Sequence, residues 1–321
     1  MNRITCSAAL LAVTAMLATP AAAVDRIKVA VAQPTAWDAI FDIVAVEKGF
    51  YKAQDLDVTN VHTAGGAETA QVVTSGSVDL GGVAAIHGVL AAFAKGSDIR
   101  IIGSQMIGSP DLYLYVRADS PIKSMRDTDG KIVLYSRPGS VSHILLLSLA
   151  KQFHVTPKYV AGGPAPAIRT MVMSGQGDVG HAPVPFALDS VQKGEIRIIA
   201  TGADVEELEH VSGRVVIATA AYLKTNRDIA RRFMVAHMQT VDWVYKNPDE
   251  VAQIYAKAFH VDPEIPKQAM KFFSVARHAP APVQGLDVSV RQAVEQKFIE
   301  KPLTPEQMKQ LVDIVYDPRK G

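Results

Sequence analysis

Cysteine is almost missing from this 321-residue chain, with Cys6 its single example. One thiol allows no internal disulfide and no cysteine cage for zinc or an iron–sulfur cluster. Long apolar runs are scarce too. In the opening MNRITCSAALLAVTAMLATPAAA the run from Ala8 to Ala18 is shorter than the roughly 20 residues a bilayer span needs, and Pro20 ends it. With Arg3 before the run and Ala21-Ala22-Ala23 after it, residues 1–23 read as a secretory signal peptide cleaved near Ala23. Cys6 precedes the run, whereas a lipid-modified cysteine would follow it, so the mature chain is expected to carry no thiol.

An excess of either charge is also lacking. Taking Arg3 from the 33 basic residues leaves 32, equal to the 32 acidic ones. A neutral chain offers no broad basic surface to a nucleic acid backbone. The nine histidines form no HxH or HExxH pattern, so no metal site is expected. A G-x-S-x-G nucleophile elbow is missing as well, which removes the usual signature of a serine hydrolase.

What is present is a repeat. SGSVDLGGVA at 75–84 is answered by SGQGDVGHAP at 174–183. Upstream lie Ala64-Gly65-Gly66 and Ala161-Gly162-Gly163, and downstream FAKGSDIRIIG answers VQKGEIRIIA. Each copy opens with a β-type run, IKVAVAQ or KIVLYS, followed by a proline-containing turn and an apolar helical pattern. The order predicted for each copy is strand, helix, strand, helix, short strand, helix, strand, which builds a mostly parallel sheet covered on both faces. Within the repeated motif, Gly76 and Gly175 stop a helix, and Asp79 and Asp178 bond local amides at the start of a strand.

The joint LYLYVRADSPIKS alternates and then breaks at Ser120-Pro121, as a strand leaving one lobe for the next. GRVVIATAAYL at 213–223 reads as the return strand. Helices follow, with Asn226, Asn247 and Thr304 as their expected caps. The expected division is residues 24–117 for lobe 1, 118–213 for lobe 2, and 214–321 for the return strand and C-terminal helices completing lobe 1.

Five stretches, AVEKGFYKAQDLDV (45–58), the AGG and SGSVDLGG pair, VRADSPIKSMRDTDGK (116–131), SGQGDVGHAPVPFA and NPDEVAQIYAK (247–257), carry a resemblance in their order and spacing. The chain resembles periplasmic solute-binding proteins of ABC importers, in the nitrate/sulfonate/taurine branch. The resemblance implies an α/β, two-lobed Venus-flytrap fold of type II with two hinge strands. It further implies a monomeric, non-catalytic periplasmic subunit without cofactor that hands a small-molecule ligand to an inner-membrane permease. A small organic anion, sulfonate or carboxylate, is the expected ligand class. An aromatic carboxylate or thiamin-type pyrimidine is the alternative. A pyrimidine synthase related to these binders uses a cysteine- and histidine-rich loop that this chain does not match.

In such a fold ligands gather beyond the carboxyl ends of the strands. That selects Gln33, Thr35, Trp37, Gly65, Gly66, Ala85 and His87 in the first copy, with Gln105 nearby. In the second copy it selects Ser136, Arg137, Gly139, Ser140, Ser142, His143, Gly162, Gly163, His181 and Pro183. Helix-start amides there favour an anionic oxygen, and Arg137, the one cation in these loops, is the candidate ion-pair partner.

Overall fold

The computed structural model describes residues 24–320, so the expected signal peptide and Cys6 lie outside the described residues. The first copy of the repeat runs β1 (Asp25–Ala32), α1 (Ile40–Glu47), β2 (Leu56–Thr63), α2 (Gly66–Thr74), β3 (Leu80–Ala85), α3 (Ile86–Ala94) and β4 (Ile99–Ile107). After β5 (Leu112–Arg117) comes the second copy: β6 (Ile132–Tyr135), α4 (Val141–Phe153), β7 (Lys158–Ala161), α5 (Ala165–Met173), β8 (Gly180–Pro183), α6 (Leu188–Gln192) and β9 (Ile196–Thr201). Next come β10 (Ser212–Thr219), α7 (Ala220–Lys246), α8 (Pro248–Phe259), α9 (Glu264–Ala269), α10 (Leu286–Glu295) and α11 (Pro305–Leu311). The alternation expected for each copy is the one observed.

The first sheet has the strand order β2-β1-β3-β10-β4. The second is built of β6-β7 and β8-β5-β9, joined where Val133 bridges Val179 in parallel. Its order is therefore β7-β6-β8-β5-β9, the same as the first with β5 standing where β10 stands. In each sheet the fourth strand is antiparallel to its neighbours and comes from outside the copy that supplies the other four. This differs from the expected boundary at residue 117: β5 hydrogen-bonds to β8 and β9 of the second sheet, so the first crossing comes before Leu112.

The repeated motif is scaffold in both copies. Gly76 and Gly175 adopt φ of 72° and 78°, the left-handed region in which glycine carries no Cβ penalty. Each closes a Schellman pair, with Gly76 N donating to Val73 O and Ser77 N to Val72 O, matched by Gly175 to Val172 and Gln176 to Met171. Asp79 Oδ2 accepts from Lys28 N at 2.7 Å and Asp178 Oδ2 from Ile132 N at 2.8 Å. The aspartates thus bond amides of the adjacent strand, closing the edge where helix, turn and sheet meet.

The caps of the C-terminal helices differ in part from expectation. Thr219 caps α7 by accepting from Tyr222 N, while Asn226, at φ −122° and ψ 25°, is a kink inside that helix. Asn247 precedes α8 but spends its side chain on the carbonyl of Trp243, the end of the helix before it. Thr304 forms the expected capping box with Gln307. Helix α7 packs on α1 and on β10 and β4, α10 on α3, and α8 on α1. One apolar cluster runs from Phe41 through Tyr255 to Val172, joining the helices of both sheets.

Candidate functional site

The ends of the two sheets face one another across a cavity of about 40 Å³. From the first copy it is lined by Gln33, Asp38, Gly65 and Val83, and from the second by Ser136, Ser140, Ser142 and His181. Two glycines let the walls approach. A Cβ on Gly66 would stand 2.4 Å from Ala85 N and 2.5 Å from Val83 O, so only glycine lets α2 begin against the end of β3. A Cβ on Gly65 would stand 2.9 Å from Ser140 Oγ, on the opposite wall.

Val83 holds φ at 54°, a conformation that costs a β-branched residue about 1–3 kcal/mol. Its amide donates to Gln105 Oε1 at 2.5 Å. Gln105 therefore acts beneath the cavity, fixing the bend that turns β3 toward it.

On the facing wall, Ser142 Oγ accepts from Ser136 N and sits 2.9 Å from Ser136 Oγ, tying the start of α4 to the end of β6. Ser140 precedes α4, yet its hydroxyl makes no capping bond. It is buried without a hydrogen-bond partner. Gln33 spans the gap: its Nε2 donates to Ala64 O at 2.6 Å, and its Oε1 accepts from Ala165 N at 3.4 Å, at the start of α5.

Of the residues selected from sequence, Gln33, Gly65, Gly66, Ser136, Ser140, Ser142, His181 and Pro183 line this cavity together. Ala85 and His87 line a neighbouring cavity of about 20 Å³ with Ile144 and Leu208 of the second half. His87 is 1% exposed, and both ring nitrogens lack partners. Burial, with His143 next, lowers its pKa to about 3. His143 stacks on Tyr135 at 4.1 Å and meets Phe298 edge-on. Burial lowers its pKa to about 4. Gly139 lies in a groove with Phe298.

Four others stand elsewhere. Trp37 is wholly buried between Tyr255 and Phe273 in the apolar core, outside the cavity lining. Thr35 turns to a groove against Tyr255 and Phe186. Gly163 holds φ at 81° and donates its amide to Ser136 O. Arg137 is exposed and pairs with Glu68 Oε2 at 2.9 Å.

Two charged residues at the site were missed. Arg214, on β10, is 3% exposed and Asp38 0%. Arg214 donates twice to Asp111, at 2.9 and 2.7 Å, and its Nε lies 3.0 Å from Asp38 Oδ2. Burial works against the Arg214 charge, but Asp111 and Asp38 outweigh it and raise its pKa. Burial also raises Asp38 to about 6 against the opposing pull of Arg214. The signal was one arginine inside GRVVIATAAYL, a cation where the strand pattern asks for an apolar side chain.

Among the described residues, no group of three or more His, Cys, Asp or Glu is placed to hold a metal ion, and no helix is long and apolar enough to cross a membrane.

The profile of a family described as NMT1/THI5 like matches residues 37–251, more than half of the chain. The chain belongs to the NMT1/THI5-like family. A relative named as a 4-amino-5-hydroxymethyl-2-methylpyrimidine phosphate synthase, from Saccharomyces cerevisiae, is 24% identical over 232 residues, covering 67% of this chain and 66% of the relative. The chain thus spans a little under two-thirds of that protein's length. Solved structures show the fold. The alkanesulfonate-binding protein SsuA from Xanthomonas axonopodis, bound to MOPS, superposes with TM-score 0.79 at 18% identity, covering 92% of this chain and all of that one. The periplasmic nitrate-binding protein NrtA from Synechocystis superposes with TM-score 0.70 at 15% identity, covering 90% of this chain and 85% of that one. The two-lobed α/β binding-protein fold is that of this chain.

Proposed function

We propose that this protein is the exported solute-binding subunit of an ABC importer, released near Ala23, acting in the periplasm as a monomer and delivering a small organic solute to an inner-membrane permease. The observation that carries the reading is the cavity between the sheets. Ser140 and His181 of the second copy line it, buried and each with a polar side-chain atom that has no hydrogen-bond partner, beside Asp38 of the first copy, whose one charged partner is Arg214. An unmet buried polar atom costs about 1–3 kcal/mol, so a solute that supplies the missing partners binds the closed form better than the open one. That difference is what drives closure.

The proposed lobes follow the sheets. The first holds β1–β4 with β10 and the C-terminal helices, the second β5–β9, and the connections before β5 and before β10 form the hinge. A solute of several heavy atoms is larger than this cavity of about 40 Å³, so the lobes part to admit it and close on it at a wider separation than the one described.

The yeast relatives' names favour a second reading, an enzyme of pyrimidine synthesis. We assign no chemistry to this chain because its single cysteine, Cys6, belongs to the proposed signal. The histidines at the cleft, His87 and His181, are held neutral by burial. The test is a thermal-shift screen of the purified mature chain against sulfonates, carboxylates, neutral heterocycles and amines. A bound solute at a hundred times its Kd adds about 2.7 kcal/mol. Recovery of that solute unchanged supports capture, and its conversion supports the enzyme.

A further inference from the structure

The solute expected from sequence is an anion, and the charges that face the cavity argue otherwise. Arg214 is the one cation lining it, and both terminal nitrogens of its guanidinium are engaged by Asp111. Its remaining nitrogen lies against Asp38. Two carboxylates thus surround one guanidinium, and the carboxylate left over is Asp38, which lines the cavity. Neither Asp38 oxygen has a further side-chain partner, and its one charged contact is the Arg214 Nε that lies 3.0 Å from Oδ2. Arg137 is occupied by Glu68 and is no part of the lining.

The other walls offer an anion only the helix-start amides of α2 and α4, at Gly66, Val141 and Ser142, and Pro183 brings no amide proton. The buried side-chain atoms left to a solute are the Asp38 carboxylate beside Arg214, the Ser140 hydroxyl and the His181 imidazole Nδ1.

We propose that this cavity selects a small solute presenting a neutral or cationic nitrogen donor group to Asp38, with Ser140 and His181 as its further partners, and that it discriminates against sulfonates and carboxylates. The assignment rests on the solute-binding reading and sets the charge of the solute. A buried carboxylate that shares one guanidinium with a second carboxylate accepts an N–H group and repels a further anion. The same network places the recognition at the hinge. Asp111 stands just before β5 and Arg214 near the start of β10, so the guanidinium clasps both crossings while touching Asp38 at the cavity wall.

The test is a ladder of charge at constant shape: benzoate, benzamide and benzamidinium, each titrated into the purified mature chain at pH 7.5 by calorimetry and thermal shift. Benzamidinium is expected to bind tightest and benzoate weakest, spread by about ten- to a hundredfold, the worth of one hydrogen bond to a charged group. In Asp38→Asn, which keeps the shape of the side chain, the ladder levels. Ser140→Ala weakens all three members and leaves their order intact. As a check that needs no variant, the wild-type advantage of benzamidinium shrinks as pH falls from 7.5 to 5.5. Asp38 takes a proton over that range, with Arg214, Asp111, Asp42 and His181 the groups around it, while both charged probes keep their charge. Benzoate binding tightest, or a ladder unchanged in Asp38→Asn, overturns the charge assignment while solute capture stands. Stabilisation by none of the three counts against solute capture at this cavity altogether.

Discussion

The two copies of the repeat share their scaffold and differ where they meet. Their helix stops at Gly76 and Gly175 and their strand-edge carboxylates at Asp79 and Asp178 make the same bonds in both sheets. At the strand ends the sharing stops. Where Val215 of β10 stands opposite Ala84 of β3, the second sheet sets Leu112 of β5 opposite Pro183 of β8, and one position on, Arg214 stands opposite Ala85 while Asp111 meets Val184. The first copy brings an acidic residue and a strained apolar turn to the cavity, the second a set of hydroxyls and a histidine. The duplication therefore preserved what closes a sheet and left free what faces a solute.

The sharpest break of that comparison is at Arg214. Arg214→Met leaves Asp38 and Asp111 buried without their cation and is expected to cost about 3–5 kcal/mol, read by urea unfolding. Leu112→Met, on the antiparallel strand of the other sheet one position from the Arg214 counterpart, is a volume-conserving change and is expected to cost less than about 1.5 kcal/mol.

Next in size is acid. His87, His181, His237 and His278 are buried, and burial lowers their pKa from 6.5 to between about 3 and 4. A depressed histidine favours folding above 6.5, and that contribution is lost as pH falls toward the folded value. The unfolded chain takes protons first, at up to about 1.4 kcal/mol per pH unit for each histidine. Asp38 and Asp42, raised from 3.8 to about 6 chiefly by burial, act oppositely and favour the folded state as they gain protons. Four histidines against two carboxylates leave a net loss, so Tm is expected to fall from pH 6.5 to 4.5. His237→Gln, away from the cavity, is expected to flatten that fall.

The shared scaffold supplies the next test. Asp79→Ala and Asp178→Ala each remove an acceptor from a strand amide, and each is expected to cost about 1–2 kcal/mol. The two values should agree within about 0.5 kcal/mol if the copies are equivalent there. Smallest is Arg137→Ala, which breaks an exposed pair with Glu68 and is expected to change stability by less than about 1 kcal/mol. By the charge arrangement proposed above, it leaves solute affinity unchanged.

Much of this was legible in the sequence because local signals made it so. Alternation, helical spacing and glycine stops marked out both copies, and the positions after each strand pointed to eight of the cavity's residues. The rest depended on which strand pairs with which, a long-range choice that spacing does not encode. LYLYVR read correctly as a strand, yet its place in the second sheet rests on hydrogen bonds to β8 and β9. Trp37 followed the first strand as a ligand-facing residue would, but Tyr255 of α8 and Phe273 of the segment after α9, more than two hundred positions later, pack against it. Asp38 lies within the apolar helical pattern that follows the first strand, and only its partner across the fold, Arg214, shows why a carboxylate sits there.

The central claim is that a solute is held by closing two lobes, and the proposed cleavage near Ala23, which removes the single cysteine, Cys6, makes the measurement clean. Spin labels at Lys52→Cys and Lys158→Cys, exposed positions beside the outer strands β2 and β7 of the two sheets, report the distance between lobes by pulsed resonance. Adding a solute that raises Tm is expected to shift the population to one narrow, closed distance. A solute that binds and stabilises the chain while the distance distribution stays as it was would contradict the account.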